Sequence, residues 1–155
     1  MEMPKPTQEH QRLAQLAGDW VGEEIVHPGP WNPQGAKATG RMQARIALDG
    51  FYLISDHEHE VDGRILFRGH GVWGWDARGK CYTMHWFDSS GIEHGAPALG
   101  TWEGNILTLQ HETGHLGHSR YVYELRDAEL YQRIEWSQDG SRWTAFLEGT
   151  YRRAG

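Results

Sequence analysis

Hydrophobic positions in this chain follow two different periods, one before residue 18 and one after residue 19. Leu13, Leu16 and Ala17 stand at i, i+3 and i+4, a single helical stripe. Thr7 is a suitable N-cap and Gly18 a suitable stop, so a short amphipathic helix is expected over about 7–17, closing one end of the body built by the remaining residues. From Asp19 onward the period falls to two. Along 80–88, Tyr82, Met84, Trp86 and Asp88 share one face and Cys81, Thr83, His85 and Phe87 the other. Along 51–60, Phe51, Leu53, His57 and His59 oppose Asp56, Glu58 and Glu60.

Turn signals separate these alternating runs, among them Asp49-Gly50, Asp62-Gly63, Glu103-Gly104-Asn105 and Asp139-Gly140. Their spacing of about ten to sixteen residues fits hairpin-linked strands and leaves no room for crossover helices. Strands are expected near 19–27, 38–48, 51–60, 64–75, 80–88, 96–102, 105–112, 116–126, 129–137 and 142–152. Pro28 to Gly35 is the one long irregular loop and is expected across an open end. About ten antiparallel strands with short links must close or sandwich. Closure removes exposed edges and leaves an interior wide enough for one small ligand. The expectation is a single domain over 1–155, its barrel at about 19–152, with a two-sheet sandwich as the rival.

Composition narrows the classes. The chain has 155 residues, one cysteine (Cys81) and a net charge of −6. One cysteine rules out an internal disulfide, and the scattered basic side chains, adjacent only at Arg152-Arg153, argue against nucleic acid or an anionic membrane as partner. The first residues carry no apolar signal core and no run approaches a membrane span, so a cytoplasmic protein is expected. Eight tryptophans and ten histidines are the unusual counts. Tryptophan brings a large apolar surface with one polar handle, useful in a core or a ligand cavity.

Gly18-Asp19-Trp20, at the head of the first strand, resembles the Gly-x-Trp signature of lipocalins and other calycins. That resemblance implies a cation from the last strand across the buried indole, here Arg153 with Arg152 as the alternative. Longer stretches extend it: Glu9-His10…Leu13…Leu16-Ala17-Gly18-Asp19-Trp20, Leu48-Asp49-Gly50-Phe51, Gly69…Gly74-Trp75-Asp76, Tyr82…Trp86…Asp88-Ser89…Gly91 and Glu148…Tyr151…Arg153. Together they resemble the bacterial family called domain of unknown function 1579. The resemblance implies an all-β, about ten-stranded antiparallel lipocalin-like (calycin) β-barrel with a short N-terminal helix, and no activity. The related haem-binding nitrobindins keep an axial histidine on a late strand, whereas this chain has none after His118.

Three clusters carry candidate chemistry. On the face assigned inward, Asp88 beside Trp86 is either a perturbed interior carboxylate or the cap of the Ser89-Ser90-Gly91 turn. His57 and His59 are expected inward or at the mouth because three carboxylates occupy the opposite face. Two ligands alone make no tetrahedral metal site, so no metal is assigned. His111, His115 and His118 surround a turn and are expected on a solvated hairpin. Gly69-His70-Gly71 within a strand marks a bulge or a close backbone approach.

The leading expectation is a cavity binding a small, partly apolar molecule. Trp20, Trp73, Tyr82 and Trp86 would supply walls, and His57, His59 and Asp88 the orienting polar groups. The alternatives are an isomerase, cyclase or lyase using His57 and Asp88 as acid and base, and a histidine-based metal or haem site. Whether the chain is an enzyme stays open, no cofactor is assigned, and a homodimer is possible.

Overall fold

A computed structural model describes residues 1–30, 32–112 and 117–154. Ten strands form one closed antiparallel barrel: β1 (Gly18–Val26), β2 (Ala36–Ala47), β3 (Tyr52–Val61), β4 (Arg64–Asp76), β5 (Cys81–Asp88), β6 (Ala98–Glu103), β7 (Ile106–Glu112), β8 (His118–Arg126), β9 (Glu129–Ser137) and β10 (Thr144–Arg153). β1 pairs with both β2 and β10, which closes the sheet and disposes of the sandwich. Every strand falls within about two residues of its expected position.

The N-terminal helix departs from expectation in its second half. α1 covers only Gln8–Arg12, and Leu13–Leu16 continues as a 3₁₀ turn. Positions i and i+3 eclipse in a 3₁₀ helix, so Leu13 and Leu16 both point into the barrel, each about 1% exposed. The turn also presents the Leu16 carbonyl to the Trp20 indole N–H, 3.0 Å away. Thr7 is the N-cap, its own N–H donating to His10 Nδ1 at 3.0 Å.

This segment plugs the end of the barrel where Trp20, Tyr82 and Trp102 are buried. Tyr82 donates its hydroxyl to the Glu9 carbonyl at 2.8 Å, and Arg12 donates to the Gly104 carbonyl at 2.8 Å. Antiparallel connectivity places the 27–35, 62–63, 89–97 and 138–143 loops at the opposite end. Pro28–Pro30 and Asn32–Gly35 are thus at that end, while Trp31 lies outside the described residues.

Arg153, not Arg152, is the clasp. Its guanidinium carbon lies 4.3 Å from the Trp20 ring centroid and its Nη1 donates to the Ala17 carbonyl at 2.7 Å. Arg152 turns outward to Glu129. Gly18 has φ +134°, and a side chain there would collide with the Arg153 guanidinium. The glycine of the motif is therefore what lets the cation reach the indole. Arg153→Ala is expected to lower the thermal midpoint by about 2–4 °C, and Arg153→Lys, which loses the planar stack, by less. Thermal melts followed by far-UV circular dichroism read both.

The seam between β5 and β6 is short. Only Tyr82, Thr83 and Met84 pair across it, with Gly100, Leu99 and Ala98. β6 begins at Ala98, opposite Met84, so the last four residues of β5 run on without a β6 partner and residues 89–97 link the two strands.

Candidate functional site

On β3 the period-two assignment holds. Leu53, Ser55 and His57 are buried and His59 is half-buried, while Asp56, Glu58 and Glu60 face out. The outer carboxylates meet cations or imidazole: Asp56 with His70 at 2.7 Å and Glu60 with Arg41 at 2.7 Å. The inner face carries a chain of polar groups that a packed apolar core would lack.

The first part of that chain fixes a tautomer. The Trp73 indole can only donate, and it donates to Ser55 Oγ at 2.9 Å. Ser55 keeps one proton of its own, and the His57 Nε2 atom 2.8 Å away is its acceptor. His57 is 6% exposed, and burial, aided by His59, pushes its pKa down to about 3. The imidazole is therefore neutral at physiological pH, with its single proton on Nδ1. That N–H has no partner among the described residues and is available to a guest.

The second part is built around Glu24 on β1, which is 1% exposed. Its Oε1 accepts from His59 Nδ1 at 2.6 Å, and its Oε2 accepts the Tyr151 hydroxyl. Tyr151 also lies 3.2 Å from Gln132 Oε1, and the Gln132 amide donates to the Tyr123 hydroxyl at 3.2 Å. Burial, together with the Glu24 carboxylate, holds the Tyr151 phenol well above its ordinary pKa, so it stays a donor. Accepting from Gln132 leaves the Tyr123 hydroxyl free to donate elsewhere. Glu24, His57, His59, Tyr123, Gln132 and Tyr151, with Met42 and Leu130, line a small cavity of about 10 Å³, room for about one water, the inner chamber.

Nearer the open end, Trp86 separates this chamber from the β5–β6 gap. Its ring stands edge-on to His57 with centroids 5.0 Å apart. Gly69 faces the indole so closely that any side chain there would collide with it, which answers the expectation of a close approach on that strand. Asp88 serves both roles weighed for it. Oδ1 caps the turn, accepting from the Ser90 N–H at 2.9 Å, while Oδ2 accepts from the Trp86 indole at 2.8 Å and lies 3.2 Å from His94 Nε2. Burial alone would raise the carboxyl pKa, but the bonds from Ser90, Trp86 and His94 outweigh it and hold the pKa below its ordinary value.

The residues expected to act together are thus divided among three places. His57, His59 and Trp73 belong to the inner chamber, the indole of Trp73 acting through Ser55. Trp86 and Asp88 stand at its outer boundary, and Trp20 and Tyr82 belong to the helix-plugged end, away from the chamber. His57 and Asp88 share no hydrogen bond; Trp86 lies between them. His57 and His59 turn to different partners, and among the described residues no three His, Cys, Asp or Glu side chains gather as metal ligands.

One histidine expectation is corrected. His111 is not on a solvated hairpin: it continues the inward row of Leu107 and Leu109 on β7 and is buried. His118 packs against Trp143, and His115 lies outside the described residues. Glu24, Ser55, Gln132, Tyr151 and His94 escaped sequence reasoning. Parity with Trp20 places Glu24 inside, but a lone carboxylate there looks prohibitive until its partners, 35 and 127 residues away, are known.

A family model described as protein of unknown function (DUF1579) matches residues 5–153. No curated protein matches the chain. Among solved structures, Rv2717c from M. tuberculosis superposes with a TM-score of 0.73 at 16% identity, covering 96% of this chain and 99% of that one. A variant of the fluorescent protein UnaG gives 0.57 at 14%, covering 92% and 99%. The REP1-NXSQ fatty acid transporter gives 0.57 at 15%, covering 92% and 98%. At these identities the likeness is one of fold.

Proposed function

This chain belongs to the DUF1579 family of proteins of unknown function, and we propose that it binds a compact, uncharged, partly apolar molecule in the inner chamber. The observation that carries the reading is the pair of unspent donors there, His57 Nδ1–H and the Tyr123 hydroxyl, set among Met42, Leu130 and aromatic rings. Two convergent donors suit one acceptor oxygen, such as a ketone, amide or ether. The chamber as it stands, about 10 Å³, has room for one water, so the guest is small, one ring at most, and the lining side chains give way to admit it.

Charge argues for an uncharged guest. Glu24 is the one carboxylate lining the chamber, and His59 and Tyr151 already serve it. The arginine at its edge, Arg41, is tied to Glu60 at 2.7 Å. Among the described residues that line the chamber, no cation is left over to neutralise an incoming carboxylate, whose burial without a partner is costly. One barrel of similar fold is a fatty acid transporter, but this interior is unsuited to an acid headgroup. In this reading His57 and Tyr123 hold the ligand, Ser55 and Trp73 position His57, and Trp86 closes the outer side.

The test uses two ligands of nearly the same shape, acetophenone and benzoate, titrated calorimetrically at pH 7. The ketone is expected to bind at least about tenfold more tightly, the difference falling when His57 is replaced by Leu. Equal or tighter binding of the carboxylate would overturn the proposal.

A further inference from the structure

Charge is spread unevenly over the outside of the barrel. Among the described residues, the outward face of β5 carries no Lys, Arg, Asp or Glu; it presents Cys81, Thr83, His85 and Phe87. The outward residues in register beside it are uncharged too, Val72 on β4 and, on the other side, Leu99 and then Gln110. The far side of the barrel is the reverse, laced by ion pairs such as Arg41–Glu60, Arg133–Glu148 and Arg152–Glu129. Two large apolar side chains stand out from the uncharged face, Phe87 at 54% exposure and Leu99 at 49%. Phe87 has an outward neighbour in register on one side only, His70 of β4, because β5 runs on past the first residue of β6.

We propose that this face of β4–β7 is where a second copy of the chain docks, forming a two-fold symmetric dimer. A chain of net charge −6 repels its own copy, and the repulsion is least where two uncharged faces meet. A two-fold contact sets one patch against itself, so the patch must match itself under the rotation. The strand register supplies that match. Thr83 pairs with Leu99, and Phe87 lies further along β5, so the midpoint between Phe87 and Leu99 falls beside His85, toward β6. An axis there seats each Phe87 ring against Leu99 of the other copy and fills the flank that β6 leaves open.

The area sets the strength. Four strands about 4.8 Å apart and three outward positions about 6.8 Å apart give roughly 400 Å² of uncharged surface per copy. That is about half of the roughly 800 Å² per partner in a standard stable interface, so the pair is reversible, with a dissociation constant on the order of tens of micromolar. The face lies on the barrel wall, and the dimer is therefore independent of what the inner chamber binds.

Sedimentation velocity of the full-length protein, from about 2 to about 500 µM, spans that constant and is expected to show monomer passing to dimer. Added salt should tighten the pair, because it screens the repulsion between copies of like net charge. Phe87→Glu and Leu99→Glu are each expected to weaken it at least about tenfold. Ile25→Glu, at a similarly exposed position on the far side of the barrel, should leave it unchanged. An equal mixture of Phe87→Glu and Leu99→Lys copies should associate more tightly than either variant alone, since the axis sets those two positions against each other. A monomer at every concentration overturns the proposal. So does a dimer that survives both glutamate variants, one lost in Ile25→Glu or in added salt, or a mixture no tighter than its components. Where a variant departs from the wild-type far-UV circular dichroism, backbone ¹⁵N shifts of the wild type on dilution decide: changes centred on β5 and β6 support the face, and changes centred on β1 and β10 overturn it.

Discussion

Replacing Glu24 with alanine is expected to cost about 3–5 kcal/mol of folding stability. The carboxylate is buried and serves two donors, the His59 Nδ1–H and the Tyr151 hydroxyl. Truncation removes both carboxylate oxygens, leaving the His59 Nδ1–H unpaired and Tyr151 with only the longer bond to Gln132 Oε1, 3.2 Å away. Gln132 cannot take over both, being already 3.2 Å from Tyr151 and 3.2 Å from Tyr123. Glu24→Gln keeps an oxygen for Tyr151 and presents an amide N–H to His59, whose ring can adopt the other tautomer. Its cost is expected to be about 1–2 kcal/mol. Urea unfolding midpoints of the two variants measure the contrast. Equal and small losses for both would mean that the carboxylate contributes no more than its shape.

Acid is expected to weaken the fold well before ordinary carboxylates titrate. His57 has a folded-state pKa of about 3 because burial opposes its charge, whereas the unfolded chain returns it to about 6.5. Between those values the unfolded state binds the extra proton, so stability falls as pH falls. The slope approaches about 1.4 kcal/mol per pH unit and levels off only near the folded value. The hydrogen-bonded carboxyl of Asp88, with its lowered pKa, adds a loss of the same sign lower in pH, below the range where His57 first acts. Urea unfolding at pH 7, 5.5 and 4.5 should show the decline, and His57→Gln should flatten it. A wild-type midpoint constant from pH 7 to 4.5 would show that His57 is solvated or charged in the folded state.

Both effects originate in features that sequence pattern could only half reveal. The ten strands, the plugging helix and the inward faces of β3 and β5 were legible because turn chemistry and period-two alternation are local properties. Asp49-Gly50 or Asp62-Gly63 dictates a reversal whatever lies beyond it. The parity that put His57 beside Leu53 needs only the pleat of one strand. Even the Arg153 clasp was narrowed to two candidates by a family pattern, and the strand register then chose between them.

What a side chain meets across the barrel is a different kind of information. Glu24 and Tyr151 are 127 residues apart in sequence and share a hydrogen bond because β1 closes on β10. His57 and Asp88 looked like partners on neighbouring inward faces, yet the Trp86 indole occupies the space between them. His111 looked solvated beside its turn, and the inward row of β7 buried it. The Trp20 strand and the closed barrel therefore belong to the sequence, written in local turns and alternation. The site belongs to the tertiary structure, because closure and strand stagger set which interior groups share a proton and which face an empty space.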